Sequence, residues 1–150
     1  MKKATRFFLK VRPNTILRTV LPIKIDGALP KHCWQNSSNF ANDNSGFNVI
    51  SGWIIGDFFG DKGTAIIPHY WVENRETFTH YDPTPHDGGY AQTYEYVEDL
   101  EIFEHGTSEN YIPAALNMTK DGILKAVTNN GYLIELESFS IKRLYQISSA

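Results

Sequence analysis

The sequence predicts an α+β fold, one helix packed on an antiparallel sheet, in a single domain spanning residues 1–150. Three observations predict it. A chain of 150 residues with 41% hydrophobic side chains carries enough apolar surface for one buried core and too little length for two. Residues 33–42 repeat apolar or small side chains at helical spacing, namely Cys33, Trp34, Ser37, Phe40 and Ala41. Downstream, short β-branched and aromatic segments alternate with turn formers, which is the pattern of hairpins.

Residues 1–31 contain Pro13, Pro22, Gly27 and Pro30, which break long regular elements, and predict an irregular N-terminal layer. The helix over 33–42 ends at Asn44-Ser45-Gly46. Its Asn and Ser residues compete with the helical backbone for hydrogen bonds, so packing must hold it. Strands are predicted over 47–58, 64–73 and 78–82, the first two separated by Gly60-Asp61-Lys62-Gly63 and the last two joined as a hairpin around Asn74-Arg75. Pro83-Thr84-Pro85 stops further pairing. Residues 93–103 predict another strand, and 121–127 fit a short helix or a strand. Asn130-Gly131 marks a turn, and 132–147 reads as extended with helical character.

Charge and cysteine content narrow the function. Fourteen basic against 17 acidic side chains give a net charge of -3 with no basic face, which argues against a nucleic-acid partner. One cysteine forms no internal disulfide and no cysteine-rich zinc site. The early apolar run Phe7-Phe8-Leu9, bounded by Arg6 and Lys10, is too short for a signal-peptide core, and no run of about 18 apolar residues exists. The expectation is a cytoplasmic protein with no membrane partner.

Cys33 at the head of the helix, His69 within the second strand and Asp82 at the end of the third are the parts of a thiol catalytic triad. A cysteine attacks as the thiolate, and a helix N-terminus beside an imidazolium is the setting that lowers its pKa. His69 would take the thiol proton, and Asp82 would fix the ring's tautomer and orientation. The hairpin constrains the last two. A two-residue turn sets Asp82 diagonal to His69, a four-residue turn over 74–77 sets the two opposite, and an odd-length turn would put them on opposite faces. The Cys33 backbone N–H is the expected oxyanion donor, with Gln35 or Asn36 as further candidates. Trp34 and Trp71 are expected to line a cleft and, with Asn36, to contact the substrate.

These residues resemble the transglutaminase-like branch of the papain-like cysteine enzymes. Cys33-Trp34 is similar to the family's helix start, Val49-Ile50-Ser51-Gly52-Trp53 to its Gly-aromatic strand, His69-Tyr70-Trp71-Val72-Glu73 to its His-x-Trp-x-Glu strand, and Asp82-Pro83-Thr84 to its Asp-Pro-Thr ending. The likeness covers residues 31–85. It implies a compact papain-like core with Cys33 as nucleophile, His69 as base and Asp82 as orienter, needing no cofactor or metal. It further implies action on an amide bond of a protein or peptide substrate, by deamidation of glutamine, cleavage or transamidation through a thioester. The Gln that serves the oxyanion hole in papain-type enzymes has no counterpart in Ala28-Leu29-Pro30-Lys31-His32.

Two other readings use the same residues. His80, Asp82, His86 and Asp87 offer metal-ligand chemistry within eight positions, although their spacing fits no standard zinc motif and His86-Asp87-Gly88-Gly89 reads more simply as a solvated loop. Alternatively, the chain is a catalytically inactive protein-binding module on the same fold, since fold alone does not fix function.

Overall fold

The computed structural model describes residues 1–86, 93–105 and 113–149. It is a mixed helix and sheet protein, built on a mostly antiparallel nine-stranded sheet. In chain order the elements are α1 (Lys3–Val11), β1 (Ile16–Arg18), β2 (Val20–Pro22), α2 (Cys33–Asp43), β3 (Phe47–Ile55), β4 (Thr64–Asn74), β5 (His80–Asp82), β6 (Glu95–Glu98), α3 (Leu100–His105), β7 (Leu116–Met118), β8 (Leu124–Val127), β9 (Leu133–Glu135) and α4 (Ile141–Ser149). The main path of the sheet runs β1-β6-β3-β4-β7-β8-β9, with β5 on β4 and β2 beyond it. Among the described residues only the β2–β5 pairing is parallel.

Side-chain alternation along the central strands sorts the sheet into two faces. Trp53, Ile55, Ile66, Tyr70 and Val97 point to one, where they pack with Phe8 of α1, Ile102 of α3, and Leu144 and Tyr145 of α4 in the main core. Ile54, Trp71 and Tyr96 point to the other and form a smaller cluster. α2 lies against β3 and β4, with Cys33 and Trp34 at the margin of the main core.

Several expectations need correction. The N-terminal layer, expected to be irregular, carries α1 and the short strands β1 and β2 and is irregular between and after them; α1 forms because Ala4 and Phe8 lie one helical turn apart and both are buried. The strand expected over 93–103 is shorter and turns into a helix at Asp99. The Asp99 carboxylate accepts the Glu101 backbone N–H at 3.2 Å, as an N-cap does. The segment over 121–127 resolves as β8. The tail splits into β9 and α4, whose start is marked by Ser140 accepting the backbone N–H of Arg143 on its hydroxyl and that of Leu144 on its carbonyl. Among the described residues no helix is long and apolar enough to cross a membrane.

The β4–β5 hairpin has an even-length turn of four residues, displaced by one residue from the 74–77 alternative and longer than the two-residue one. Val72 pairs with Tyr81 and Glu73 with His80, and the turn comprises residues 75–78. Asn74 sets it. Its side-chain oxygen accepts the N–H groups of Glu76 and Thr77, its backbone carbonyl accepts that of Phe78, and its own N–H donates to Thr79. In this register Asp82 is diagonal to His69 on the same face.

Candidate active site

β4 is paired on both edges at its ends but not in its middle. Away from β3, residues Thr64–Ile66 bond to β7 and Val72–Glu73 to β5, so among the described residues 67–71 have no strand on that side. The first residue of α2 meets this stretch: the Cys33 sulfur receives the Tyr70 backbone N–H and a hydrogen bond with the His69 ring. A polar backbone group that a missing strand leaves unpaired is thus used to hold a thiol.

His69 is buried between two partners. Its Nε2 lies 2.8 Å from Asp82 Oδ2, which leaves Nδ1 as the ring nitrogen for Cys33. Asp82 is itself buried and heavily bonded. Oδ2 also accepts the Tyr96 hydroxyl at 2.5 Å and lies 3.1 Å from His86 Nε2, while Oδ1 accepts the Thr84 backbone N–H at 3.0 Å. Tyr96 comes from β6, two strands away from β4 through β3.

The electrostatics follow from these contacts. Burial pushes the Cys33 thiol up, but the hydrogen bond and charge of His69 and the Tyr70 N–H outweigh it and hold the thiol below its ordinary value; Asp82's charge opposes them less strongly. Burial pushes His69 down, yet bonding and charge from Asp82 and Cys33 raise it to about 9. For Asp82 burial acts upward, and the bonds from His69 and His86, the His69 charge and the Tyr96 bond together hold it well below the carboxylate range. Burial and the Asp82 charge push Tyr96 far above the phenol range, so its hydroxyl remains a donor. The combined directions favour a thiolate and an imidazolium over a neutral pair.

The remaining candidates separate. Trp34 is half-buried and meets Tyr70 edge-on at 5.1 Å and Phe103 at 5.8 Å. Trp71, expected at a cleft wall, is fully buried, and its Nε1–H donates to His80 Nδ1 at 2.8 Å. It backs the His69 ring, stacked at 6.3 Å, and no substrate can touch it. Asn36, expected at the substrate, instead ties the site's own backbone together. Its Nδ2 donates to the Leu29 carbonyl at 2.8 Å and to Thr84 Oγ1 at 3.0 Å, joining α2 to the turn after Asp82. Gln35 is exposed on α2. The N–H groups of Cys33 to Gln35 precede the first helical bond, Asn36 N–H to the His32 carbonyl at 2.9 Å, so the helix offers them no acceptor.

The metal grouping also changes membership. His80 is committed to Trp71 and lies 3.0 Å from Glu73, while Asp87 falls outside the described residues. His69 takes their place: donor atoms of His69, Asp82 and His86 all lie within 4.8 Å of one another. Tyr96 and His86 are the site residues that sequence reasoning missed as partners of the triad. Tyr96 could have been found from strand alternation, since Tyr96 and Glu98 face away from the core side chain Val97. No family model, curated protein or solved structure matches this chain.

Proposed function

We propose that the protein is a cysteine enzyme acting on an amide bond of a protein or peptide, with Cys33 as nucleophile, His69 as general base and acid, and Asp82 as the residue that orients and charges His69. One observation carries this reading: a buried imidazole shared between a thiol and a carboxylate, with 2.8 Å from His69 Nε2 to Asp82 Oδ2. The resemblance to the transglutaminase-like branch of papain-like enzymes supports the same roles.

In the reaction, His69 Nδ1 takes the Cys33 proton and the thiolate attacks the amide carbonyl carbon. The carbonyl electron pair moves to oxygen, to which the Cys33 backbone N–H at the start of α2 would donate. Collapse of the tetrahedral intermediate breaks the C–N bond, and the imidazolium returns its proton to the leaving amine. The resulting thioester is resolved by water, giving hydrolysis or deamidation, or by an amine, giving transfer.

The test needs no substrate. The rate of Cys33 alkylation by iodoacetamide is measured between about pH 4 and 9 for the native protein and for His69→Ala. The expected result is labelling that persists well below the pH of an ordinary thiol and is lost in the variant. Labelling that follows an ordinary thiol in both proteins would make Cys33 structural and favour the binding-module reading.

A further inference from the structure

We propose that His69, Asp82 and His86 form a binding site for one zinc-like divalent cation, which displaces the Nε2 protons that otherwise point at Asp82 and binds the lone pairs they leave. The site goes beyond the thiol reading, because its donors are the same whether or not Cys33 attacks a substrate.

The donor set is two imidazoles and one carboxylate, a combination that holds zinc with a fourth position left open. Two of its donor-to-donor distances are close to those of a metal site, and the two imidazole donors lie within 4.8 Å of each other. Ligand atoms about 2.0–2.1 Å from a tetrahedral zinc lie about 3.3 Å from one another. Here His69 Nε2 and His86 Nε2 stand 2.8 and 3.1 Å from the same atom, Asp82 Oδ2. Opening these two contacts by a few tenths of an ångström brings them to metal spacing, and the two imidazole donors, within 4.8 Å of each other, then need to settle at the same separation.

Crowding at that oxygen favours the exchange. Oδ2 faces three donor groups, His69, His86 and the Tyr96 hydroxyl, where a carboxylate oxygen offers about two lone-pair sites. His86 Nε2 is also 3.0 Å from the Tyr96 oxygen, so its proton has two claimants and neither contact is unshared. A cation replaces the Nε2 protons of both rings, accepts their lone pairs and leaves Asp82 to Tyr96 and the metal.

Access comes from the His86 side. Its side chain is 27% exposed, and Asp82 and His86 line a cavity of about 430 Å³ together with Pro22, Lys24 and Pro85. His69 coordinating through Nε2 keeps Nδ1–H directed at Cys33, so the thiol need not be a ligand. The same Nε2 cannot both hold the cation and donate to Asp82. Occupancy and the triad arrangement therefore exclude one another.

The experiment titrates Zn²⁺ into metal-free native protein against a chromophoric chelator, alongside His86→Ala and Cys33→Ala. The expected result is one equivalent bound, with affinity lowered about tenfold or more in His86→Ala, as for loss of a partner that matters even outside the ligand shell. Binding in Cys33→Ala is expected to equal the native protein's. His86→Gln is the second variant should the alanine protein unfold. Co²⁺ in place of Zn²⁺ should give the visible bands of a four-coordinate ion without a near-ultraviolet thiolate charge-transfer band. No stoichiometric uptake, equal uptake by the His86 variants, or loss of uptake in Cys33→Ala would overturn the site. Because alkylation is measured without metal, failure of the metal site and failure of the thiol reading show in different experiments.

Discussion

Tyr96 donates its hydroxyl to Asp82 Oδ2 at 2.5 Å from a strand two places across the sheet from the one that carries His69. The carboxylate that charges His69 is thus held from both sides, by the imidazole and by a phenol.

Tyr96→Phe removes one bond to a buried charge and should cost about 2 kcal/mol at neutral pH, measured by urea unfolding. The sign with pH follows from Asp82. Its folded pKa is depressed, so its contribution is fully present above about pH 4 and is lost as pH falls through the folded value. The variant raises that folded value, and the acid unfolding midpoint should move to higher pH. An unmoved midpoint would mean that the hydroxyl carries none of the carboxylate's stabilisation.

His69→Ala and Asp82→Asn should rank in that order of severity. Without His69, only burial and Asp82 act upward against the Tyr70 N–H, so the Cys33 thiol should titrate at or above an ordinary thiol. Asp82→Asn keeps an acceptor near Nε2 but removes its charge, so His69 should fall from about 9 toward its ordinary value and thiolate formation should weaken without vanishing. Alkylation at about pH 6 is the readout. Equal rates in the two variants would mean that Asp82 neither charges nor orients the ring.

Asn36→Ala separates positioning from substrate contact. The side chain joins Leu29, ahead of α2, to Thr84, just after Asp82. Its loss should destabilise the protein by about 1–2 kcal/mol and slow alkylation by a reagent too small to need a binding pocket. A rate equal to that of the native protein would return Asn36 to the substrate-contact role that the sequence suggested.

What the sequence made legible was local. Helix α2 declared itself through period-3.6 spacing, and the β4–β5 hairpin through turn chemistry, although Asn74 anchors the turn from its preceding position and thereby shifts the register by one step. The parity of that turn was the quantity that mattered for His69 and Asp82, and it survives a displacement of one residue on each strand. Other features depended on partners distant in sequence. α1 looked like broken apolar fragments because only Ala4, Thr5 and Phe8 are buried, a stripe defined by the strands beneath it. Trp71 looked like a cleft residue because an indole beside a catalytic-type histidine has two faces to choose from. Its alternation with His69 settles only that both share a face; Tyr96 and His80 then pack against it.

Gly52 was legible as part of a Gly-aromatic step, and its physical role emerges only from the packed sheet. It sits on β3 opposite His69 and beside β6. A Cβ there would stand 2.1 Å from the Val97 carbonyl oxygen and 2.5 Å from the Trp71 ring. The first contact is with backbone inside a paired ladder and cannot be relieved by rotating a side chain. The second presses on the indole that backs His69. Gly52→Ala should therefore cost about 3 kcal/mol or more, large for the addition of one methyl group. Residual folded protein should also label more slowly at Cys33, since Trp71 is the buried surface against which His69 is stacked. A Gly52→Ala protein of native stability would show that β3 and β6 separate at little cost, and would remove the reason for a glycine at this step of the strand.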